Sequence, residues 1–461
     1  MKSEDLLTID SFGSLKGKTI LLRVDINSPI DFKTLKITSN PRIQAHSKTI
    51  LLLSSKGAKV VVLAHQGRKG GDDFFPLEEH AKLISKLIKK PVIFHPDTQV
   101  VSEKTLEQIK KLKDGQIMLL DNVRYLDEET AKLDVANQTR TPLVNNLAPL
   151  MSIYVDDAFS NAHRAHISMT GFPAVLPSAA GPVMLSELES AKKAAEPSKR
   201  PAVFLMGGAK PEEIIGIMKH ALENSTVDKI LTAGLIGELC VIARGSSLTE
   251  NKMKWLKEKG YDKHLLPLRE VMHSYHEFIE TPFDFAILDK ETGKRREIFL
   301  TTLSKEIELI GDIGKKTYTK YSKILAKAKT IYVKGPCGIY EDEEFQEGTR
   351  TTLTAVANNA GAYSLVAGGN TSDAFEKLKI PQTNIGHLSI GGGVLLEYLA
   401  GTPLPAIIAL QESAKNFGTE LGYHPYVAKP VEVEEEKHSE KKSKKKKTET
   451  KKATKQKIKK K

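Results

Sequence analysis

Short apolar runs alternate with amphipathic stretches of helical period along most of the chain. Residues 59–64 form one such run, and residues 77–87 follow with apolar positions spaced as on one face of a helix. Buried strands separated by helices are typical of βαβ units, so the pattern predicts parallel sheets covered by helices. The predicted strands are residues 19–24, 59–64, 117–120, 153–155, 202–206, 229–233, 330–333, 363–367 and 387–390.

The length of 461 residues exceeds what one ordinary core holds and predicts two domains. A helical pattern over residues 185–196 runs into the proline-flanked segment 197–201, where we place the joint. We therefore predict an α/β fold of two doubly wound, Rossmann-like parallel-sheet domains joined by a hinge helix. The first domain covers residues 1–184, and the second covers residues 185–403 and includes the hinge helix.

The net charge of +12 is concentrated at the end of the chain. Residues 431–461 contain 14 lysines and 6 glutamates, whereas the remainder carries 55 basic and 51 acidic side chains. Because this segment has almost no apolar side chains to bury, we predict a disordered, lysine-rich tail over residues 431–461. A tail of this kind would contact polyanions without sequence preference.

The sequence also limits the compartment. No apolar run approaches the roughly 18 residues that span a bilayer, and the first residues do not form a signal peptide. The two cysteines, Cys240 and Cys337, give no disulfide framework. These features predict a cytoplasmic protein with reduced thiols and no membrane partner.

Basic residues follow several strands of the first half. Because the carboxyl ends of parallel strands meet at one edge of a sheet, these residues are expected to lie together. Each one alone is compatible with a surface salt bridge, but five at one edge suit a small, multiply charged anion, since arginine binds phosphate and carboxylate oxygens bidentately. The residues are Arg42, His65, Arg68, Arg124 and Arg164.

Two polar residues end the first predicted strand. Asp25 and Asn27, two positions apart, project from the same side of the chain. They could grip a substrate hydroxyl, or they could form a capped turn closed by Pro29. The pattern leaves both interpretations open.

Glycines follow the strands of the second half. Gly391, Gly392 and Gly393 join a short strand to a helical pattern, where free N–H groups would favour an anion, although a tight turn is an equal alternative. The segment Gly368-Gly369-Asn370-Thr371 precedes a helix expected from residue 372. Neither GxxxxGK[ST] nor GxGxxG occurs at these turns, which argues against a P-loop or dinucleotide-binding fold.

Several blocks in order resemble the phosphoglycerate kinase family over about residues 14–410. The blocks are residues 23–29, 65–68, 157–166, 207–210, 312–314, 335–341 and 387–393. The sequence is similar to the archaeal branch of the family. The resemblance implies reversible phosphoryl transfer between 1,3-bisphosphoglycerate and ADP, giving 3-phosphoglycerate and ATP, with Mg²⁺ accompanying the nucleotide.

The resemblance also implies the site residues. The first half would bind the triose through Asp25, Asn27, Arg42, His65, Gln66, Gly67, Arg68, Arg124 and Arg164. The second half would bind the nucleotide through Gly207, Lys210, Glu341, Gly368, Gly369, Asn370 and Thr371. As in the family, residues 404–417 would return to the first domain.

The chemistry of such a site needs positioning and positive charge. The acceptor carboxylate is ionised at neutral pH, so no general base is required. Arg42 from one domain, and Lys210 with the N–H groups of Gly391, Gly392 and Gly393 from the other, would stabilise the transferring group. Hinge closure would bring the two halves together and exclude water.

Three positions depart from the family pattern. Asn370 stands where an aspartate is common and would be the residue nearest the nucleotide's metal. Ile214 replaces a frequent second lysine, and Lys334 stands where asparagine is common; Lys334 either reaches the phosphates or points to solvent. These departures leave open a catalytically weak, phosphoglycerate kinase-like binding protein. A second alternative is a protein associated with polyanions through its lysine-rich tail.

Overall fold

The computed structural model describes residues 5–31, 34, 36–37, 40–195, 198–289, 292–303 and 309–418. The lysine-rich tail predicted over residues 431–461 lies outside the described residues. Among the helices described, none combines the length and the apolar character that a membrane crossing requires.

Eight strands are described in the first half. They are β1 (Thr19–Arg23), β2 (Ile30–Asp31), β3 (Lys36–Ile37), β4 (Lys59–Leu63), β5 (Ile93–Phe94), β6 (Ile117–Leu119), β7 (Ile153–Asp156) and β8 (Ser178–Ala180). Six of them form a parallel sheet in the order β5-β6-β4-β1-β7-β8, while β2 pairs with β3 in an antiparallel ribbon. Leu21 of β1 faces one apolar cluster, and Ile20 and Leu22 face another. Burial on both faces explains why these strands read as continuous apolar runs.

Helices connect the strands of the first half. They are α1 (Pro41–Ser55), α2 (Glu78–Ile88), α3 (Glu103–Lys110), α4 (Val135–Gln138), α5 (Pro142–Leu147), α6 (Ile167–Thr170) and α7 (Pro182–Ala195). The start of α1 has a clear cause: Asn40 accepts hydrogen bonds from the N–H groups of Arg42 and Ile43, and Pro41 occupies the first helical position. This cap sets Arg42 in the first turn of the helix.

The second half repeats the architecture. Its strands are β9 (Ala202–Met206), β10 (Lys229–Thr232), β11 (Ile279–Glu280), β12 (Asp284–Leu288), β13 (Arg295–Phe299), β14 (Ile310–Ile313), β15 (Thr330–Lys334), β16 (Tyr363–Ala367) and β17 (His387–Ser389). Six form a second parallel sheet in the order β11-β10-β9-β15-β16-β17. The predicted α/β class with two doubly wound parallel sheets is confirmed.

Nine helices are described in the second half. They are α8 (Pro211–Glu223), α9 (Gly234–Ala243), α10 (Glu250–Glu258), α11 (Leu265–Tyr275), α12 (Lys315–Leu325), α13 (Glu347–Asn358), α14 (Gly369–Lys377), α15 (Gly393–Leu399) and α16 (Pro405–Phe417). The predicted start of α14 at residue 372 is wrong. The helix begins at Gly369 because the backbone turns one residue earlier, at Gly368, where φ is 99°.

The sequence pattern also missed a small antiparallel sheet, ordered β13-β12-β14. Its edge strand β13 is mostly exposed and begins with Arg295 and Arg296, so it lacks the apolar run that marked the parallel strands. The sheet places Asp312, on β14, next to the carboxyl ends of the larger sheet's strands, where Gly338 packs against it.

Two helices link the halves. Helix α7 leaves the first sheet, and its Glu187 accepts hydrogen bonds from the Ser389 hydroxyl (2.6 Å) and the Ile390 N–H (2.8 Å). Helix α16 packs back on the first half: the Ala406 N–H donates to the Ala162 carbonyl, and the Ser413 hydroxyl donates to the Leu176 carbonyl.

Candidate active site

A cavity of about 540 Å³ opens between the two halves, at the carboxyl ends of both parallel sheets. It is lined from the first half by Asp25, Asn27, Arg42, His65, Gly67, Arg68, Asp73, Arg124, Ser160, Asn161, His163 and Arg164. From the second half it is lined by Lys210, Glu213, Gly391, Gly392, Gly393 and Glu397. The structure thus brings the predicted basic residues together with the predicted lysine and glycines.

Asp25 and Arg42 form an ion pair in this cavity, with Asp25 Oδ2 and Arg42 Nη1 3.0 Å apart. The Ser160 hydroxyl also donates to Asp25 Oδ2. Burial alone would raise the pKa of the Asp25 carboxyl, but Arg42 and the neighbouring donors hold that pKa well below its usual range. Asp25 is therefore a fixed negative charge that orients Arg42.

Asn27 holds the turn that carries Gly67. The Gly67 N–H donates to Asn27 Oδ1 over 2.9 Å, and the Asn27 N–H donates to Asp25 Oδ1 over 3.0 Å. Gly67 has φ of 66°, and a Cβ there would overlap the Asp73 backbone, so no other residue fits. The capped-turn interpretation therefore holds for the backbone at Asp25, while its other carboxylate oxygen faces the cavity partners.

Arg68, Arg124 and Arg164 form an arginine cluster on the side of the cavity that the first half lines. Burial, and then Arg164 and Arg23, lower the pKa of Arg124 to about 10. Burial and then Arg68 likewise lower the pKa of Arg164. Like charges held this close in a partly buried site favour a bound anion that offsets their repulsion.

His65 is a neutral member of the site. It is buried, and its Nδ1 lies 3.2 Å from Nη2 of the buried Arg23. Burial and then Arg23 lower the pKa of His65 well below its usual value. The imidazole is therefore uncharged at neutral pH, and it offers hydrogen bonds rather than charge. Burial contributes most to this state, and Arg23, which the sequence analysis did not single out, adds to it.

Gln66 does not line the cavity, in contrast to its predicted substrate contact. Its side chain is fully buried, accepts a hydrogen bond from the Ser28 N–H and donates to the Ser28 and Asp73 carbonyls. Through these bonds Gln66 holds the loop at Ser28 to the loop at Asp73. A side chain engaged this way cannot turn toward a ligand without leaving buried polar groups unpaired.

The three-glycine segment meets the first half directly. Arg42 Nε donates to the Ile390 carbonyl over 3.3 Å, so the first helix touches the segment one residue before Gly391. A Cβ on Gly391 would overlap the Phe159 ring, and Gly392 has φ of 61°. Close approach and backbone conformation therefore both require glycine here.

Lys210 and Lys334 flank the carboxylate of Glu213. Lys334 Nζ lies 3.5 Å from Glu213 Oε2, and Lys210 Nζ lies 3.4 Å from Glu213 Oε1. The Lys334 side chain is 11 % exposed and its ammonium lies against Gly368, which excludes the interpretation that it points to solvent. Burial lowers the pKa of Lys334. Ile214, at the position of the family's second lysine, lies in the core.

A second cavity, of about 630 Å³, lies at the carboxyl ends of β9, β10, β15 and β16. It is lined by Gly208, Ala209, Gly234, Leu235, Glu238, Asn251, Lys252, Trp255, Phe285, Leu309, Ile310, Gly311, Asp312, Ile313, Pro336, Cys337, Gly338, Ile339, Glu341 and Asn370. Two predicted nucleotide residues, Glu341 and Asn370, line it directly. Burial raises the pKa of Asp312 to about 8.

Four other predicted nucleotide residues shape the turns next to this cavity without lining it. The Gly207 N–H donates to the Lys334 carbonyl over 2.7 Å, and a Cβ on Gly207 would overlap the Pro336 backbone. The Thr371 hydroxyl is buried, donates to the Ala367 carbonyl and accepts from the Gly335 N–H. Gly368 and Gly369 begin α14 and so place Asn370 in its first turn.

Sequence reasoning missed the residues that reach the two cavities from other helices. Glu397 comes from α15, one turn beyond Gly393, and Glu238, Lys252 and Trp255 come from α9 and α10. The available signal was Glu238, the one charged residue in an otherwise apolar helix.

Comparisons with known proteins agree with this geometry. The family model described as phosphoglycerate kinase matches residues 9–402. Phosphoglycerate kinases of Saccharolobus solfataricus and Methanothermus fervidus are 40 % and 39 % identical, each aligned over 88 % of this chain and 97 % of its own length.

A solved structure of the phosphoglycerate kinase from Pyrococcus horikoshii superimposes with a TM-score of 0.81 at 35 % identity, covering 89 % of this chain and all of that one. The counterpart from Coxiella burnetii gives 0.71 at 30 % identity, with the same coverage of both chains. The chain belongs to the phosphoglycerate kinase family.

Proposed function

We propose that phosphoryl transfer between 1,3-bisphosphoglycerate and ADP takes place in the cavity between the halves. The observation that carries this proposal is the pairing of two surfaces across one space of about 540 Å³. One surface carries the arginine cluster and Arg42, and the other carries Lys210 and the three glycines. A triose acid with a phosphate group is a small, multiply charged anion of the kind this arrangement suits.

The triose side would hold 3-phosphoglycerate through Arg68, Arg124 and Arg164. Guanidinium groups bind phosphate and carboxylate oxygens bidentately. Asn27 and the neutral His65 would orient the substrate by hydrogen bonds, since both line the same cavity. Asp25 keeps Arg42 in place, 3.0 Å away, so that its charge is positioned before substrate arrives.

The nucleotide side would hold ATP or ADP in the second cavity. Glu341 would bind the ribose hydroxyls, and Asn370, in the first turn of α14, would face the phosphates, since both residues line this cavity. No group of three or more His, Cys, Asp or Glu in the described part of the chain is placed to hold a metal ion. A magnesium ion would therefore enter with the nucleotide, held mainly by phosphate oxygens, with the Asn370 amide oxygen as a neutral contact.

The residues of this site would act by position and charge. The acceptor carboxylate is ionised at neutral pH, so no side chain has to remove a proton. Arg42, Lys210 and the N–H groups of the three glycines would stabilise the charge that develops on the transferring group. Closure about α7 would bring the nucleotide's terminal phosphate toward Arg42 and exclude water.

Paired variants test the division of the site. Arg124→Ala should raise KM for 3-phosphoglycerate by about tenfold or more, the cost of one charged hydrogen bond, while KM for ATP stays unchanged. Lys210→Ala should lower kcat. Lys219→Ala, an exposed lysine of α8, serves as the matched control and should change neither constant. An Arg124→Ala variant that alters only KM for ATP would contradict the assignment of the two sides.

A further inference from the structure

A continuous row of buried hydrogen bonds runs from the core of the first half to the cavity between the halves. Glu129 accepts two of them from Ser168, one from the hydroxyl group to Oε1 (2.6 Å) and one from the N–H group to Oε2 (2.9 Å). Arg23 Nε donates to the same hydroxyl oxygen over 2.9 Å, and Arg23 Nη2 lies 3.2 Å from His65 Nδ1. Of these four residues only His65 lines the cavity.

Stability alone does not explain why Glu129 and Arg23 are buried together. Both side chains are fully buried, and removing two charges from water costs about as much as their attraction returns. Both oxygens of Glu129 accept hydrogen bonds, as those of an ionised carboxylate do. Burial raises the pKa of Glu129, whereas the charge of Arg23 and the hydrogen bonds from Ser168 lower it. The pair is better explained by what Arg23 does toward His65.

Arg23 determines which nitrogen of His65 carries the proton. A guanidinium group can only donate hydrogen bonds, so His65 Nδ1 must be the acceptor in this contact. Burial and then Arg23 lower the pKa of His65, and the neutral ring has a single proton, which must then be on Nε2. Among the described residues, none accepts a hydrogen bond from Nε2. The Nε2–H group can therefore donate to an oxygen of a molecule bound in the cavity that His65 lines.

We propose that Glu129 is a positioning residue for the triose, although it lies outside the cavity. Through Ser168 and Arg23 it holds His65 in the tautomer that donates Nε2–H to an oxygen of the substrate. This inference rests on the proposed function, in which His65 orients 3-phosphoglycerate. Without the carboxylate of Glu129, the Ser168 hydroxyl would lose its acceptor and Arg23 Nε would lose a fixed oxygen. The guanidinium group could then turn away from Nδ1, and both tautomers of His65 would form.

The variant Glu129→Gln tests this role through kinetics. The glutamine side chain has the same shape but no charge, and its NH₂ group cannot accept a hydrogen bond from Ser168. KM for 3-phosphoglycerate should rise by about tenfold, the usual cost of one hydrogen bond to a charged group, while kcat and KM for ATP stay unchanged. Glu107→Gln, the same substitution at an exposed position of α3, is the matched control and should change no constant. An unchanged KM for 3-phosphoglycerate, or an equal rise in both KM values, would overturn the proposal.

The tautomer of His65 can be observed directly by ¹⁵N NMR of the full-length protein labelled in its histidine rings. The His65 resonances are identified by their absence from the variant His65→Gln. One fixed tautomer gives two widely separated nitrogen shifts, and a mixture of tautomers brings them closer together. We expect separated shifts, with the proton on Nε2, in the unaltered protein and in Glu107→Gln, and converging shifts in Glu129→Gln. A proton on Nδ1 in the unaltered protein, or unaltered shifts in Glu129→Gln, would contradict the inference.

The NMR measurement also separates this inference from the proposed function. It needs no turnover, so a protein with the expected His65 shifts and no phosphoryl transfer would count against the proposed function alone. Unfolded molecules give their own set of histidine resonances, so partial unfolding is not mistaken for a change of tautomer. Ser168→Ala removes the hydroxyl group between Glu129 and Arg23, so it should give the same convergence and replaces Glu129→Gln if that variant does not fold.

Discussion

Arg68, Arg124 and Arg164 form a cluster of like charges in a partly buried space. Their guanidinium groups repel one another there. Burial and neighbouring guanidinium groups lower the pKa of Arg124 to about 10, which still leaves it charged at neutral pH. Asp25 cannot serve the whole cluster because it is already paired with Arg42. We therefore expect an anionic substrate to offset the repulsion between these guanidinium groups.

Arg42 is the residue expected to act most in the transition state. Arg42→Ala should lower kcat by about 10²–10³-fold, the usual cost of removing one preorganised donor, with a smaller rise in KM for ATP. Steady-state kinetics in the ATP-consuming direction measure both constants. Arg42→Lys keeps the charge but loses the planar guanidinium group. Its kcat should lie between that of the unaltered protein and that of Arg42→Ala. An unchanged kcat in Arg42→Ala would exclude Arg42 from the catalytic role.

Lys334 and Asn370 are predicted to compensate each other. The buried ammonium of Lys334 lies against Gly368, just before the helix that carries Asn370, so it can offset the charge that an aspartate would have supplied. Lys334→Asn should raise KM for ATP, and Asn370→Asp should shift Mg²⁺ activation to lower concentration. Activity measured against ATP and against Mg²⁺ decides this. If neither curve moves in either variant, the two positions are not coupled.

Helix α16 packs a late part of the chain, Pro405–Phe417, against the first half. Its Leu410 is fully buried, whereas Ile408, two residues earlier, is 42 % exposed. The Ser413 hydroxyl and the Ala406 N–H anchor the helix to carbonyl groups of the first half. The helix therefore stabilises the first half from a distant point in the sequence.

The buried face of α16 can be tested by truncating one side chain. Leu410→Ala should lower the free energy of unfolding by about 2–5 kcal/mol, because it removes buried methyl groups and leaves a cavity. Ile408→Ala, on the exposed face, should stay within about 0.5 kcal/mol of the unaltered protein. Urea denaturation measures both. Equal effects would contradict the packing of α16 described above.

Prediction of the elements from sequence worked where an apolar run was buried on both faces. The predicted strands β1, β4, β6 and β15 end within one residue of their observed bounds. In these strands the apolar run in the sequence coincides with the buried part of the sheet. The strand β13 could not be predicted, since it is mostly exposed and begins with two charged residues, Arg295 and Arg296, instead of an apolar run.

For the site, sequence reasoning found residues that follow strands and missed those that arrive from elsewhere. Arg124 and Arg164 could be placed at one edge because parallel strands end together. Glu238 and Lys252 meet only through the tertiary arrangement of α9 and α10, which no local pattern reports. Gln66 follows a strand as His65 does, yet its side chain is fully buried and does not face the cavity.

In the molecule as a whole, the site lies between the two parallel sheets and is lined by residues of both halves. Arg42 reaches the Ile390 carbonyl, and Glu187 of α7 holds the segment 389–390 through two hydrogen bonds. Rotation about α7 would change the width of the cavity while each half-site keeps its own geometry. Such an arrangement would allow two anions to bind separately before closure brings them together.

The lysine-rich tail is predicted from composition to act independently of this site. Deleting residues 431–461 should leave kcat/KM and Tm nearly unchanged, because the segment has almost no apolar side chains to pack. Weak binding to RNA should disappear with the tail and should fall steeply with salt in the full-length protein. A large drop in Tm after the deletion would show that the tail is packed on the fold.

We expect the two half-sites together to transfer a phosphoryl group, despite Asn370 and Ile214. A coupled assay with ATP, Mg²⁺ and 3-phosphoglycerate tests it most directly, with the disappearance of NADH in a linked dehydrogenase step as the signal. We expect turnover that requires all three components, at about 1–100 s⁻¹ as is usual for kinases. Binding of both substrates without turnover would contradict the account and would favour a protein that holds these ligands without catalysing their reaction.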